Sequence, residues 1–254
     1  MEEIIIILVG FIFGSFLNVV IYRLPLEKSI VKPGSRCPSC GKIIRFYDNI
    51  PVLSYIILGG KCRNCKAKIS LIYPAVEVFT AFSFWLTYVY FKHLPVYAGF
   101  NALFLCLLIA LALIDYTHQI LPNELTLGGA VIFLIYAFFN PVITPANAFL
   151  SAFGSALFFA GIYFFYLKVR KIEGLGQGDI KMILLLGAFL GIHKLAIAIF
   201  LASFAGLVVG LFFIIFKGKN LKMKLPFGTF LSLGSYISVF WGHPILNAIQ
   251  SIYR

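Results

Sequence analysis

The feature that most limits this chain's fold is a succession of apolar stretches with almost no charge inside them. They run roughly over 4–22, 71–91, 97–115, 124–140, 146–167, 180–192, 195–216 and 226–248. Crossing about 30 Å of hydrocarbon takes about 20 such residues as a helix, which satisfies its own backbone polar groups. Most of the stretches reach that length. The sequence therefore predicts an all-α polytopic membrane protein of about eight transmembrane helices. The 180–192 stretch is short, and is expected to tilt, to re-enter or to fuse with its neighbour. The first stretch is expected to be retained, because Met1, Glu2 and Glu3 supply no basic n-region and no small-residue cleavage site follows.

The net charge of +12 is a signal of topology. Ten of the 21 basic residues fall after the first stretch: Arg23, Lys28, Lys32, Arg36, Lys42, Arg45, Lys61, Arg63, Lys66 and Lys68. Lys168, Arg170, Lys171 and Lys181 fall between the fifth and sixth, and Lys217, Lys219, Lys222 and Lys224 between the seventh and eighth. These loops alternate onto one side, leaving Lys92, Lys194 and Arg254 for the other. The positive-inside rule makes the basic side cytoplasmic and puts both termini outside. On this reading the excess charge serves orientation and contact with anionic lipid headgroups, and nucleic acid is not a partner.

The loop from Arg23 to Ser70 is the one sizeable polar segment. It contains "CPSC" and "CRNC", so Cys37, Cys40, Cys62 and Cys65 follow a C-x2-C-x21-C-x2-C pattern. Two such knuckles present four thiolates to one tetrahedral zinc, and a shell of four thiolates leaves no open position for chemistry. A reducing cytoplasm favours thiols over disulfides. So short a loop cannot build its own core, and the metal is expected largely to fold it. Cys106 reads as a small buried hydrophobe. The expected organisation is a first transmembrane helix over 1–22, a cytoplasmic tetracysteine zinc-binding loop over 23–70, and a transmembrane core over 71–254.

Among nine acidic residues, Asp115 and Asp179 border hydrocarbon at the same edge. A carboxylate in the apolar zone costs about 2.5–3.5 kcal/mol on insertion scales, so such residues face the bundle interior and are read as functional. Asp179 follows Gly174, Gly176 and Gly178, which allow positive φ and close backbone approach, as a substrate held extended beside the carboxylate requires. Two carboxylates sharing a proton can act together as base and acid on water and a carbonyl. Helix direction adds an expectation. Asp179, at an N-terminal end, is the water-activating carboxylate, and Asp115, at a C-terminal end, holds the shared proton.

At this point the residues carry a resemblance. "GLGQGDIKM" (174–182) resembles the GxGD motif of membrane-embedded aspartyl proteases. Together with "GSFLNVVIYRLP" (14–25), the cysteine loop (36–65), "YPAVE" (73–77), "LIDYTHQILPN" (113–123) and "LPFGTFLSLG" (225–234), it is similar to the type IV prepilin peptidases over nearly the whole chain. The resemblance implies a bacterial inner-membrane aspartic endopeptidase that removes the short basic leader from prepilins or pseudopilins at the cytoplasmic face. In many members it also implies N-methylation of the new amino terminus from S-adenosylmethionine. By the same resemblance the catalytic residues are Asp115 and Asp179. No motif identifies the residues that hold the methyl donor, and the oligomeric state is not legible. Two positions depart from the family's usual pattern: Asn123, where members often read Asp, and Thr229, where they often read Pro. Both are expected to stand clear of the aspartate pair.

Gly176, Gly178, Lys181 and Glu77 are candidates for lining the site. Glu77 is also read as a first-turn acid of the second span, and Lys181 either as a partner that keeps Asp179 ionised or as an interfacial lysine. Asn18 either bonds a neighbouring helix or lines the site, and Arg23 anchors the membrane edge. Gly10/Gly14, Gly187/Gly191 and Gly206/Gly210 have the spacing of close helix packing. Two alternatives remain open: a presenilin-type intramembrane protease, which leaves the cysteine loop unexplained, and a transporter using its aspartates as a proton relay. The transporter class more commonly shows internal repeats and acids at mid-membrane.

Overall fold

The computed structural model describes residues 1–171, 176–217 and 225–252. Gly174, Lys219, Lys222, Lys224 and Arg254 lie outside the described residues. The regular elements are helices: α1 (Glu2–Arg23), α2 (Leu53–Ile57), α3 (Ile72–Phe91), α4 (Pro95–His118), α5 (Asn123–Tyr136), α6 (Pro145–Phe149), α7 (Ser155–Arg170), α8 (Gln177–Lys217) and α9 (Phe227–Ile252). A π turn, Leu150–Gly154, joins α6 to α7. The chain forms two compact units, Met1–Ala110 and Leu111–Arg254, with the boundary inside α4.

Among the described residues, five segments are long and apolar enough to cross a membrane: Glu2–Leu26, Ile72–Phe91, Pro95–His118, Pro145–Val169 and Gln177–Phe216. The expected stretch at 124–140 forms the shorter apolar helix Asn123–Phe139. The stretches at 180–192 and 195–216 are two arms of α8, joined at Gly191 (φ 70, ψ 172). The first arm, from Gln177 to Leu190, is about 21 Å long at ~1.5 Å per residue, short of the hydrocarbon thickness. Only a residue without Cβ enters this backbone conformation cheaply. The N–H that the break frees, that of Ile192, donates to Asn147 Oδ1 at 3.1 Å.

In the first unit, α1 and α3 pack antiparallel with a regular register. Added Cβ atoms at Gly10 and Gly14 would lie 2.6 Å from Ala81 Cα and 2.7 Å from Glu77 Cα. One step further, Asn18 Nδ2 donates to Tyr73 O at 3.0 Å. Each advance of four residues on α1 thus meets a retreat of four on α3, the spacing of interlocked i±4 ridges. Asn18 is both a helix–helix bond and, as shown below, part of a cavity wall.

In the second unit, α8 is the hub. Gly187 lets its backbone approach the π turn, where an added Cβ would lie 2.7 Å from Ser151 O. Gly234 of α9 meets Ala198 O of α8 at only 2.3 Å from such a Cβ. The rings of Phe133 and Phe189 pack at 4.8 Å between α5 and α8. The glycine spacings hold in part. Gly206 has an ordinary contact, 3.6 Å to the Phe230 ring, Gly210 a tighter one, 3.3 Å to Leu225 Cδ1, and Gly191 is a break rather than a packing surface.

Candidate active site and metal centre

Asp115 lies in the last turn of α4 and is 6% exposed. Its Oδ2 accepts a hydrogen bond from Thr229 N at 2.8 Å and lies 3.2 Å from Thr229 Oγ1. Thr229 Oγ1 also lies 2.9 Å from Ala112 O, which accepts from it. Thr229 occupies the first turn of α9, where backbone N–H groups have no partner within the helix. Asp115 therefore supplies from α4 the cap that α9 lacks in its own sequence. Gly228 makes this possible, because a Cβ there would lie 3.0 Å from Asp115 Oδ2.

Asp179 lies in the first turn of α8, half-buried, and its Oδ2 accepts from Gly176 N at 3.3 Å. One side chain, Leu121, lies against the glycines beside both aspartate sites, Gly178 next to Asp179 and Gly228 against Asp115. Added Cβ atoms at Gly178 and Gly228 would lie 3.2 and 3.1 Å from it. The beginnings of α8 and α9 and the segment after α4 thus converge. Asp115 and Asp179 are within electrostatic reach of each other.

Three expectations change here. Thr229 does not stand clear of the pair, because it holds Asp115 directly. Lys181 does not pair with Asp179: its Nζ donates to Asn123 Oδ1 at 2.8 Å, tying α8 to the start of α5. Glu77 is not in the first turn of its helix, since α3 begins at Ile72. Its Oε2 instead accepts from Val52 N at 2.7 Å, holding a β-branched residue at φ 60, ψ −47. Such a conformation costs of order 1–3 kcal/mol and persists only where its surroundings impose it.

The cysteine loop is built as two matching knuckles. Cys37 N donates to Lys42 O at 3.0 Å and Gly41 N to Cys37 O at 2.9 Å. Cys62 N donates to Ala67 O at 2.9 Å and Lys66 N to Cys62 O at 3.0 Å. The fifth residue of each knuckle, Gly41 or Lys66, has positive φ. All four Sγ atoms lie within 4.8 Å of one another and none is in a disulfide. Cys37 Sγ and Cys65 Sγ are 3.8 Å apart. Zinc–sulfur bonds of ~2.3 Å make a tetrahedron with an edge of about 3.8 Å, so the donor set fits the metal. The N–H groups of Cys65 and Asn64 lower the Cys62 thiol, while, against the N–H of Ala67, desolvation and the neighbouring thiols raise that of Cys65, as sulfurs sharing protons in one cluster do.

A bidentate ion pair braces the knuckles: Arg63 donates to Asp48 through Nε and Nη2, the latter at 2.6 Å. The guanidinium holds the Asp48 carboxyl below its ordinary range. Its contribution is full above that range and is lost as pH falls through the depressed folded value.

A cavity of about 760 Å³ opens in the first unit between α1, α3 and the loop. Ser15, Asn18, Tyr22, Tyr73 and Glu77 line it from the helices, and Arg23, Lys28, Arg36 and Arg45 from the loop. Arg23, expected as a membrane anchor, also donates to Ser29 O and Gly34 O and so shapes the loop's start.

Fold and sites define a polytopic α-helical membrane protein with a tetrathiolate loop and a carboxylate pair at helix ends. Residues 8–91 match the bacterial peptidase A24 N-terminal domain, and residues 102–211 match the type IV leader peptidase family. The chain belongs to the type IV leader peptidase family. It is 35% identical to a prepilin leader peptidase/N-methyltransferase of Pseudomonas putida, over 93% of this chain and 89% of that relative. A protein of the same name from Pseudomonas aeruginosa is 34% identical over 94% and 90% of the two chains. One from Myxococcus xanthus is 39% identical over 83% of this chain and 62% of the relative. No solved structure matches the chain.

Sequence reasoning missed Leu121 and the roles of Thr229 and Asn123. Thr229 had one usable signal: a Gly-Thr pair opening a helix with no acidic or hydroxyl cap before it.

Proposed function

We propose that Asp115 and Asp179 are the catalytic pair of an aspartic endopeptidase that removes the basic leader from type IV prepilins or pseudopilins. The observation that carries this reading is the convergence on Leu121 of the helix starts beside the two aspartates, at Gly178 and Gly228, with Asp115 buried and gripped at Oδ2. Glycines at 176, 178 and 228 let the backbone come close to the carboxylates and to Leu121.

Chemically, one carboxylate takes a proton from water while the other gives its proton to the scissile carbonyl oxygen. Helix-end reasoning alone makes Asp115 the proton holder, but it omits the free N–H groups of α9. With those included, Asp115 is the accepting member and Asp179 carries the shared proton. Water gives a proton to Asp115, its oxygen bonds the carbonyl carbon, and the carbonyl oxygen takes the proton of Asp179. On collapse of the diol, the leaving nitrogen takes the proton from Asp115, and a diol hydroxyl returns one to Asp179.

The four cysteines hold zinc as a structural ion with no open coordination position. S-adenosylmethionine supplies a methyl group when bound. Asn18, Tyr73 and Glu77 of the first-unit cavity are the residues that would hold it, in a volume suited to a ligand of that size. The basic loops and both aspartates are on the cytoplasmic side, with both termini outside, as the distribution of lysine and arginine supports.

The test is mass spectrometry of a prepilin incubated with the detergent-purified protein and S-adenosylmethionine. A shortened chain with one new, methylated amino terminus is expected. An intact prepilin would remove the peptidase reading, and a cleaved but unmethylated product would remove the methyl-donor part.

A further inference from the structure

The hydroxyl of Thr229 has two acceptors and one proton. Its Oγ1 lies 2.9 Å from Ala112 O and 3.2 Å from Asp115 Oδ2, and Thr229 N donates to that same Oδ2 at 2.8 Å. A hydroxyl carries one donor and two acceptor lone pairs and rotates to suit its neighbours. The backbone N–H does not have that freedom. It can grip Oδ2 while that oxygen is an acceptor, and it cannot accept a proton.

From this geometry we infer that Thr229 is a positioning residue whose hydroxyl follows the proton on Asp115. When Asp115 is a carboxylate, the hydroxyl donates to Oδ2 beside the N–H, and the carboxylate plane is fixed. When Oδ2 carries the proton taken from water, the hydroxyl turns its own proton to Ala112 O and accepts from the Oδ2–H of the carboxylic acid. The acid then keeps a partner in a 6% exposed site where water is scarce. Losing a partner there would leave a buried polar group unsatisfied.

The surroundings favour this role over simple packing. Gly228 removes the Cβ that would lie 3.0 Å from Oδ2, so the carboxylate is pressed against the start of α9. Ala112 and Asp115 belong to the same turn of α4. Both acceptors therefore stay in register with Thr229 if α4 and α9 shift slightly together.

This inference rests on the aspartate-pair reading above, and the experiment separates the two. Kinetics of leader cleavage are measured for Thr229→Ser, Thr229→Val, Thr229→Ala and Asp115→Asn in detergent. Thr229→Ser keeps the hydroxyl and the N–H, and is expected within about threefold of the parent. Thr229→Val keeps the shape and the N–H alone. Its kcat is expected to fall about tenfold, the equivalent of roughly 1.4 kcal/mol, with KM and thermal stability unchanged. Should Thr229→Val insert poorly, Thr229→Ala is read in its place. Full kcat in a hydroxyl-free variant would overturn the inference, as would an equal loss in Thr229→Ser. If Asp115→Asn still cleaves, the aspartate-pair reading falls and takes this one with it. If Asp115→Asn is inactive while Thr229→Val is fully active, only the hydroxyl's role is wrong.

Discussion

Gly234→Ala should cripple cleavage from a position outside the aspartate cluster. An added Cβ would lie 2.3 Å from Ala198 O and 3.2 Å from Ala202 N, both backbone atoms of α8. Backbone cannot rotate aside, so α8 and α9 must separate by about 1 Å to restore an ordinary contact. Overpacking of this kind costs about 1–3 kcal/mol, which outweighs the gain of up to ~1 kcal/mol from replacing glycine by alanine in a helix. Gly234 is five residues from Thr229, about 7.5 Å along α9. The shift therefore reaches the grip on Asp115, while Asp179 rides on α8. A misplacement of about 1 Å at a reacting centre can lower a rate on the order of 10²-fold. Initial rates of prepilin cleavage and thermal unfolding, both in one detergent, measure the two consequences. Gly206→Ala is the control, because its Cβ would sit 3.6 Å from the Phe230 ring and displace nothing. Its rate should stay within about twofold. If Gly234→Ala equals the control in rate and stability, the α8–α9 approach at Ala198 is not as described.

Three further outcomes follow from the first unit. Cys37→Ser or Cys65→Ser should lose one bound zinc per chain by elemental analysis and loosen the loop to proteolysis, and chelation should do the same while sparing aspartyl cleavage. A stable, fully active and metal-free preparation would contradict this. Lys66→Gly should stabilise the loop by about 0.4–1 kcal/mol, since Lys66 sits at φ 60 where its partner knuckle has Gly41; slower loss of zinc to a chelator would report it. Glu77→Ala frees Val52 N and alters the cavity floor. Methyl transfer should fall by at least tenfold while leader removal continues, and equal loss of both would reject the separate cavity role.

Much of the architecture is legible in one dimension because hydrocarbon imposes length and composition directly. Helix positions, the long polar loop and its two cysteine knuckles follow from counting apolar residues and C-x2-C pairs. What stays hidden depends on three-dimensional partners. Gly191 and Gly187 look alike in sequence, yet one breaks a helix and the other packs against Ser151 O. Gly234, the tightest approach among the described glycines, belongs to no G-x-x-x-G pair. Thr229 is 114 residues from the aspartate it holds. A lysine two residues from an aspartate suggests a pair, but along a helix these side chains diverge, and Lys181 reaches Asn123 instead.

On the proposed mechanism, two aspartates perform the hydrolysis. Asp115→Asn and Asp179→Asn replace a carboxylate by an amide of nearly the same shape, so each protein should still insert and bind zinc. Mass spectrometry of prepilin co-expressed with each variant measures the remaining activity directly. The account predicts uncut prepilin in both cases, beside full conversion by the parent chain. Near-normal cleavage by either variant would contradict it.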